Sequence, residues 1–313
     1  MATGRIVVLG GGGFVGRHVV ARLAAVGHRV IVPARRRDAA RHLILLPTVD
    51  VVETDINVPQ SLARLLSGAT AVINLVGILN ESGNTTFARA HVDLVRNVVG
   101  ACHTAGVTRL LHMSALGADP AGPSQYLRSK AAAEAIVTAS GLRWTIFRPS
   151  VIFGREDSFL NLFAKLSRLL PVVVLAAPNA RFQPISVEDV AHCFVQAVDD
   201  DLTQHARYDL CGPKVYTMRE LVAYVGETIG AVRPIVPLGP RLSWLQATVL
   251  EHLPGKLMTR DNLLSTQKDN VCDCPFPAVF GIAPAALEAV APQYLSPGAQ
   301  RSAFDAYRAQ SGR

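Results

Sequence analysis

Tyr126 and Lys130 stand four residues apart in Ser124-Gln125-Tyr126-Leu127-Arg128-Ser129-Lys130. On a helix, side chains at i and i+4 share a face, so this Y-x-x-x-K pair sets an ammonium beside a phenol. Such an ammonium is expected to lower the phenol pKa, so that the tyrosine exchanges a proton with a substrate oxygen near neutral pH. The plainer reading is that both residues only hydrogen-bond a cofactor ribose.

A second cluster lies at the start of the chain. Gly10, Gly13 and Gly16 form G-x-x-G-x-x-G in Gly10-Gly11-Gly12-Gly13-Phe14-Val15-Gly16, between an apolar run and an amphipathic one. A tight turn needs a residue without Cβ, a backbone must approach a pyrophosphate closely, and a helix must pack hard on a strand. Backbone N–H groups at the helix start, around Phe14 and Val15, then bind phosphate.

The next strand ends in Val32-Pro33-Ala34-Arg35-Arg36-Arg37. Proteins that bind NAD place an Asp or Glu about 20 residues past the glycines, on the ribose 2′-hydroxyl. Here that position is Ala34, and arginine follows. A carboxylate would repel a 2′-phosphate, whereas a guanidinium binds it bidentately. The cofactor is therefore expected to be NADP(H) rather than NAD(H), with Arg35 as the leading contact and Arg36 as the second. Asp55 and Ile56 are placed to border the adenine, and Leu75, Val76 and Gly77 let the cofactor lie over the end of a strand.

Those residues need a frame. Apolar, β-rich runs occur at Arg5–Leu9, Arg29–Val32, Val49–Glu53, Ala71–Val76, Arg109–Met113 and Arg143–Phe147. Helical patterns lie between them at Phe14–Val26, Phe87–Ala105 and Gln125–Ser140. Strands apolar on both faces, separated by amphipathic helices, describe an α/β fold with a Rossmann-type doubly wound parallel sheet. After Gly154 the alternation fades and prolines cluster. The expected organisation is a core over 1–154, with 182–204 returning to it, and a smaller C-terminal lobe from 155–181 and 205–313.

Half of the 313 residues are hydrophobic and 18% are charged, which excludes a disordered chain. The formal net charge is +7 and aromatic residues are only 6%. With few stacking platforms and no recognisable nucleic-acid motif, no nucleic-acid partner is expected. Of the five cysteines only Cys272 and Cys274 lie close together, a C-x-C pair with no second pair or nearby histidine, and the nine histidines show no metal-ligand spacing, so no metal is expected. No charged leader precedes the first strand, and the longest apolar run, Leu169 to Pro178, falls short of the roughly 20 residues of a membrane helix. A cytoplasmic location follows as the expectation.

The order of these motifs resembles the extended or atypical short-chain dehydrogenases/reductases of the NAD-dependent epimerase/dehydratase branch. Arg148-Pro149-Ser150-Val151-Ile152-Phe153-Gly154 is similar to that branch's R-P-x-x-x-x-G loop beside the nicotinamide, which implies cofactor contacts at Pro149 and Val151. Gln183-Pro184-Ile185-Ser186-Val187-Glu188-Asp189-Val190-Ala191 is similar to the stretch where the branch returns to its core. More narrowly, His112-Met113-Ser114-Ala115-Leu116-Gly117-Ala118, Ala90-His91-Val92 and Asp261-Asn262 resemble one subgroup. It comprises the accessory subunit of mitochondrial respiratory complex I (NADH-ubiquinone oxidoreductase) and its bacterial relatives. That resemblance implies NADPH binding, a structural role for the nucleotide in the complex, and in some relatives a link to ubiquinone biosynthesis. In catalytic members a serine after the fifth strand polarises the substrate carbonyl, and an asparagine in the preceding helix supports a proton relay. Ser114 is nearest to the first role, and His91 holds the second position.

In the C-terminal part, Arg241 to Leu253 carries apolar residues at helical spacing, including Trp244. Such a helix packs on the core or caps a cleft. Alternatively it touches a protein partner or a membrane surface, which would place the protein at the inner face of the cytoplasmic membrane. Three functions stay open. The first is an NADPH-dependent oxidoreductase acting on a hydrophobic carbonyl or quinone-related small molecule. The second is a non-catalytic NADPH-binding accessory or assembly protein with a respiratory partner. The third is a nucleotide-sugar epimerase or dehydratase, against which the arginines after the second strand argue.

Overall fold

The computed structural model describes residues 4–296. The six apolar runs form strands β1 (Arg5–Leu9), β2 (Arg29–Ala34), β3 (Val49–Glu53), β4 (Ala71–Asn74), β5 (Arg109–Met113) and β6 (Arg143–Pro149). A further strand, Ala206–Leu210, joins at the edge beside β6. From that edge the spatial order runs through β6, β5, β4, β1 and β2 to β3, and every pairing is parallel. Parallel neighbours require crossovers that cover both faces of the sheet, so its central strands are buried along most of their length. Ile6 to Leu9 are fully buried accordingly. Chain order reverses between β1 and β4, the switch point beyond which such sheets bind ligands.

The crossovers of this sheet include α1 (Phe14–Ala25), α2 (Pro59–Leu66), α3 (Leu94–Ala105) and α4 (Gln125–Thr138). Of the later helices, α5 (Phe159–Leu169), α7 (Met218–Thr228) and α8 (Pro240–His252) lie in a second unit, while α6 (Val187–Asp199) returns to the sheet. The sheet unit comprises residues 4–149, 187–210 and 272–282; the second comprises 150–186, 211–271 and 283–296. This division differs from the one read off the sequence, which placed everything from 205 onward in the lobe. Ala206–Leu210 reads Ala-Arg-Tyr-Asp-Leu because an edge strand pairs on one side only and need not be apolar on both faces. Residues 272–282 return with little regular structure. They bury Phe280 against Phe147 and Tyr208, with ring centroids 5.7 and 4.9 Å apart.

In the same unit the buried Arg109 guanidinium donates to the carbonyls of Arg143 and Ala197 and to the hydroxyls of Thr145 and Thr203. It thereby ties β5, β6, α6 and the turn after α6 together. Burial lowers its pKa to about 10, and the four acceptors compensate the desolvated charge. The second unit has its own core, with Phe153, Leu160, Leu175, Leu221 and Val225 at its centre.

The packing of α1 on the glycine turn depends on Gly16. A Cβ there would lie 2.6 Å from Gly11 Cα and 2.7 Å from the Gly11 carbonyl carbon, and backbone atoms cannot step aside as a flexible side chain can. Gly16→Ala is expected to cost about 1–3 kcal/mol of stability and to weaken nucleotide binding. Thermal melts with and without NADPH check this, and an unchanged Tm would refute the close approach.

Candidate functional site

The glycine turn lies at the switch point. Gly10 adopts φ +79°, in the left-handed region, where a side chain would be strained. A Cβ on it would also meet Leu75 C and Val76 N at 3.2 Å, so the turn and the end of β4 lie against each other. Gly13 is the N-cap of α1 and supplies no side-chain acceptor. The first backbone donor to find a helical partner is Arg17 N–H, on Gly13 O at 3.0 Å. The N–H groups of Phe14, Val15 and Gly16 thus form the positive end of α1, with no Cβ at Gly13 to crowd an approaching group. That donor set suits a pyrophosphate.

Arg35 and Arg36 follow β2 directly and are exposed. Asp55 accepts hydrogen bonds from Asn57 N–H at 2.9 Å and from the Asn57 side chain at 2.7 Å. Those bonds, with the Arg35 charge adding to them, hold its carboxyl below the usual range. Ile56 packs on the core beneath. Leu75 is buried, its N–H on Leu9 O at 3.0 Å, and Val76 N–H donates to Asn74 Oδ1 at 3.2 Å.

Tyr126 and Lys130 lie in the first half of α4, which starts cleanly because its N-cap Ser124 accepts from Leu127 N–H. Lys130 is buried, its Nζ donating to Met113 O at 3.2 Å and lying 5.9 Å from the Tyr126 ring centroid. A Cβ on Gly77 would come within 3.1 Å of that Nζ, so a glycine at the end of β4 makes room for the ammonium. Burial lowers the Lys130 pKa to about 8 and pushes the Tyr126 phenol up to about 12. This corrects the expectation of an acidified phenol: desolvation outweighs the neighbouring ammonium. At neutral pH Tyr126 is a protonated donor.

His91 enters from a π-helical turn, Ala88–Asp93, that leads into α3. Such one-turn widenings re-aim side chains and recur at functional sites. The ring meets Tyr126 edge-to-face at 5.7 Å, and Phe87 meets Tyr126 at 5.9 Å. Ile78 N–H donates to His91 Nε2 at 3.1 Å. Nδ1 therefore carries the proton and donates to Ser129 Oγ at 2.8 Å, and that hydroxyl donates onward to Tyr126 O at 2.8 Å. Burial and the nearby Lys130 charge bring the His91 pKa to about 2.

One neighbour of this group stands in the sequence only as the first residue of the His112–Ala118 stretch. His112 on β5 is the register partner of Asn74 on β4. Because Asn74 Oδ1 accepts from Val76, its amide NH2 donates to His112 Nδ1 at 3.2 Å. The proton then sits on His112 Nε2, a buried donor with no partner among the described residues. Burial, with the Lys130 charge, lowers this pKa to about 3.

Both imidazoles are neutral in the folded chain, but in the unfolded chain they protonate below about pH 6.5. The unfolded state then binds more protons, so stability falls as pH drops from about 6.5 toward 3. Each histidine is expected to contribute about 1.4 kcal/mol per pH unit in that window. Urea midpoints at neutral pH and one to two units below the transition would show it, and His112→Asn should remove about half of their joint slope. A pH-independent midpoint would contradict the burial.

Ser114 does not join this group. Its hydroxyl donates to the buried Glu134 carboxylate, 2.5 Å from Oε1. Glu134 also takes a bidentate pair from Arg148 at 2.7 and 2.6 Å, with Arg207 at 3.3 Å. The single proton of Ser114 is held by an ion pair and is not presented to a carbonyl, so the sequence-based role as polariser is corrected. Pro149 ends β6, its carbonyl accepting from Leu116 N–H at 3.0 Å. Val151 belongs to the second unit, where its N–H donates to Asn270 Oδ1 at 2.9 Å. The structure thus gathers Gly10, Leu75 and Val76 at one point, and Gly77, Lys130, His91 and Tyr126 at another along the same strand end.

Residues 10–201 match the NAD(P)H-binding protein family. The mitochondrial NADH dehydrogenase (ubiquinone) 1 alpha subcomplex subunit 9 of Arabidopsis thaliana is 36% identical over 231 residues, 71% of this chain and 57% of that protein. A ceramide reductase of Caulobacter vibrioides is 35% identical over 191 residues, 61% of this chain and 59% of that protein. The match therefore spans less than two thirds of either relative. Among solved structures, a nucleoside-diphosphate-sugar epimerase of Staphylococcus aureus superposes with TM-score 0.69 at 20% identity, over 91% of this chain and 98% of that one. That likeness concerns the fold.

Proposed function

The chain belongs to the NAD(P)H-binding family of Rossmann-fold proteins akin to the short-chain dehydrogenases/reductases, and on that footing we propose that it is an NADP(H)-dependent reductase. Its substrate would be a hydrophobic carbonyl or quinone-related compound. The observation that carries this reading is the protonated Tyr126 phenol beside buried Lys130, at the end of β4 where Gly77 leaves room. The reductase among the relatives supports it.

Bound NADPH would supply a hydride to a carbonyl carbon. Phe14, Val15 and Gly16 N–H groups would hold its pyrophosphate, and Asp55 and Ile56 would border its adenine. Leu75 and Val76 would line its floor, and Pro149 would contact its nicotinamide end. As charge develops on the carbonyl oxygen, Tyr126 gives it the phenolic proton. The Lys130 ammonium stabilises the phenolate left behind. His91, fixed as a neutral ring, holds Tyr126 edge-on without competing for that proton.

Arg35 and Arg36 set the choice between the two nucleotides. Arg35→Ala is expected to weaken NADPH binding by about ten- to a hundredfold, the loss of a charge-assisted hydrogen-bond pair, and to leave NADH binding unchanged. Calorimetric titration of both nucleotides into both proteins tests this. An unaltered preference would remove Arg35 from the 2′-phosphate.

A second reading is favoured by one observation: the Ser114 proton is engaged by Glu134. In that case the chain is a non-catalytic accessory protein with a respiratory partner, in keeping with the relative that is a subunit of NADH dehydrogenase. Exchange of labelled NADPH against nucleotide retained through purification distinguishes the two. Exchange in seconds supports turnover, and retention for hours supports the accessory role.

A further inference from the structure

Helix α8 of the second unit is built inside out. Its buried residues are the small Ser243 and Ala247, whereas Leu242, Leu245 and Val249 are 55%, 58% and 54% exposed. With helical periodicity these three form one stripe opposite the buried pair. Leu253 and Leu257, just beyond the helix end, are also close to half exposed. A surface helix of a globular protein turns such residues inward.

The apolar surface continues beside the helix. Gln246 of α8 donates to Val174 O at 3.0 Å. Val174 lies in a short parallel ladder, Val173–Leu175 with Ile235–Pro237, in which Val174 and Val236 are register partners. Both are nearly half exposed. Patches of this kind mark contact surfaces.

Charge selects the occupant. From 229 to 250 the chain has no Asp or Glu but carries Arg233 and Arg241, and Arg241 is exposed at the start of α8. The exposed Trp244 stands to the side of the stripe. An apolar stripe with cationic flanks and an indole fits the boundary between anionic headgroups and acyl chains. Among the described residues no helix is long and apolar enough to cross a membrane, so the contact lies along the surface. We infer that α8 rests its Leu242-Leu245-Val249 stripe in the interface of an anionic lipid bilayer, with Arg241 at the headgroups. This inference stands apart from the nucleotide chemistry.

The test is co-sedimentation of the full chain with phosphatidylglycerol-containing vesicles and with phosphatidylcholine-only vesicles, in low and high salt. Tryptophan fluorescence is followed in parallel, in which Trp244 is the exposed reporter and Trp144 is buried. The expected result is binding to the anionic vesicles, a blue shift, and weakening by salt. The double variant Leu245→Glu/Val249→Glu should bind about tenfold more weakly or worse. Unchanged NADPH affinity and circular dichroism in that variant show that the fold is intact. No binding to anionic vesicles at low salt would overturn the inference, as would equal binding by the double variant. A wild-type dimer that the same two changes dissociate would also overturn it, assigning the face to a second copy.

Discussion

Replacing Tyr126 with phenylalanine is expected to slow NADPH-dependent carbonyl reduction by about 10²–10⁴-fold while changing NADPH affinity only slightly. The ring packs edge-on against Phe87 and His91, and phenylalanine keeps those contacts, so the loss is confined to one O–H group. With the phenol pushed up to about 12, the tyrosine holds its proton throughout the working range and does not itself impose an alkaline limit. Lys130 does: with its pKa at about 8, the ammonium that stabilises the phenolate is lost as pH rises through that value. The wild-type rate should therefore fall above about pH 8. Steady-state NADPH oxidation against long-chain ketones and quinones, as a function of pH, measures both effects. A variant as fast as the wild type would remove Tyr126 from the reaction. If neither protein oxidised NADPH with any of these compounds, the accessory reading would stand.

Glu134→Ala is expected to be the most damaging single change to stability, at about 3–5 kcal/mol, or a Tm lowered by roughly 10 °C. The Glu134 side chain is 3% exposed, against 26% for Arg148. Removing the carboxylate strands a bidentate guanidinium and the Ser114 hydroxyl in one step. Because Arg148 keeps some contact with water, the lower end of that range is expected. Glu134→Gln keeps an acceptor and should lose less, and the paired change Glu134→Leu/Arg148→Met should recover much of the difference, since no unpaired charge remains. Urea unfolding of the four proteins gives the comparison. A loss under about 1 kcal/mol for Glu134→Ala would show that the ion pair has no structural role.

The frame was largely legible in the sequence because parallel strands and their crossovers write strong local patterns. The six strands β1–β6 and the glycine turn lie where apolar runs and glycines put them. Two kinds of feature were not legible. Short elements leave few residues from which to read a period, as in the eight-residue α2 and the five-residue edge strand Ala206–Leu210. Side chains that meet across elements leave none. The Asn74–His112 contact and the Ser114–Glu134–Arg148 cluster join residues 14 to 38 positions apart. The Tyr126–Lys130 pair was visible as a pair, but its protonation was not. Which of attraction and desolvation wins depends on burial, which i,i+4 spacing does not reveal.

Because Phe147, Phe194, Tyr208 and Phe280 stack together, the sheet unit is finished by four segments that leave the ribosome at very different times. When residue 149 emerges, six strands of the sheet are available, yet the edge beyond β6 has no neighbour and Phe147 lacks three aromatic partners. Such an edge is sticky. The chain must then deliver α6, the strand at 206–210 and finally 272–282 before that corner closes. Much of the second unit is synthesised in between. A nascent chain stalled or truncated before residue 272 would carry an open aromatic corner, which makes it a natural client for chaperones and proteases.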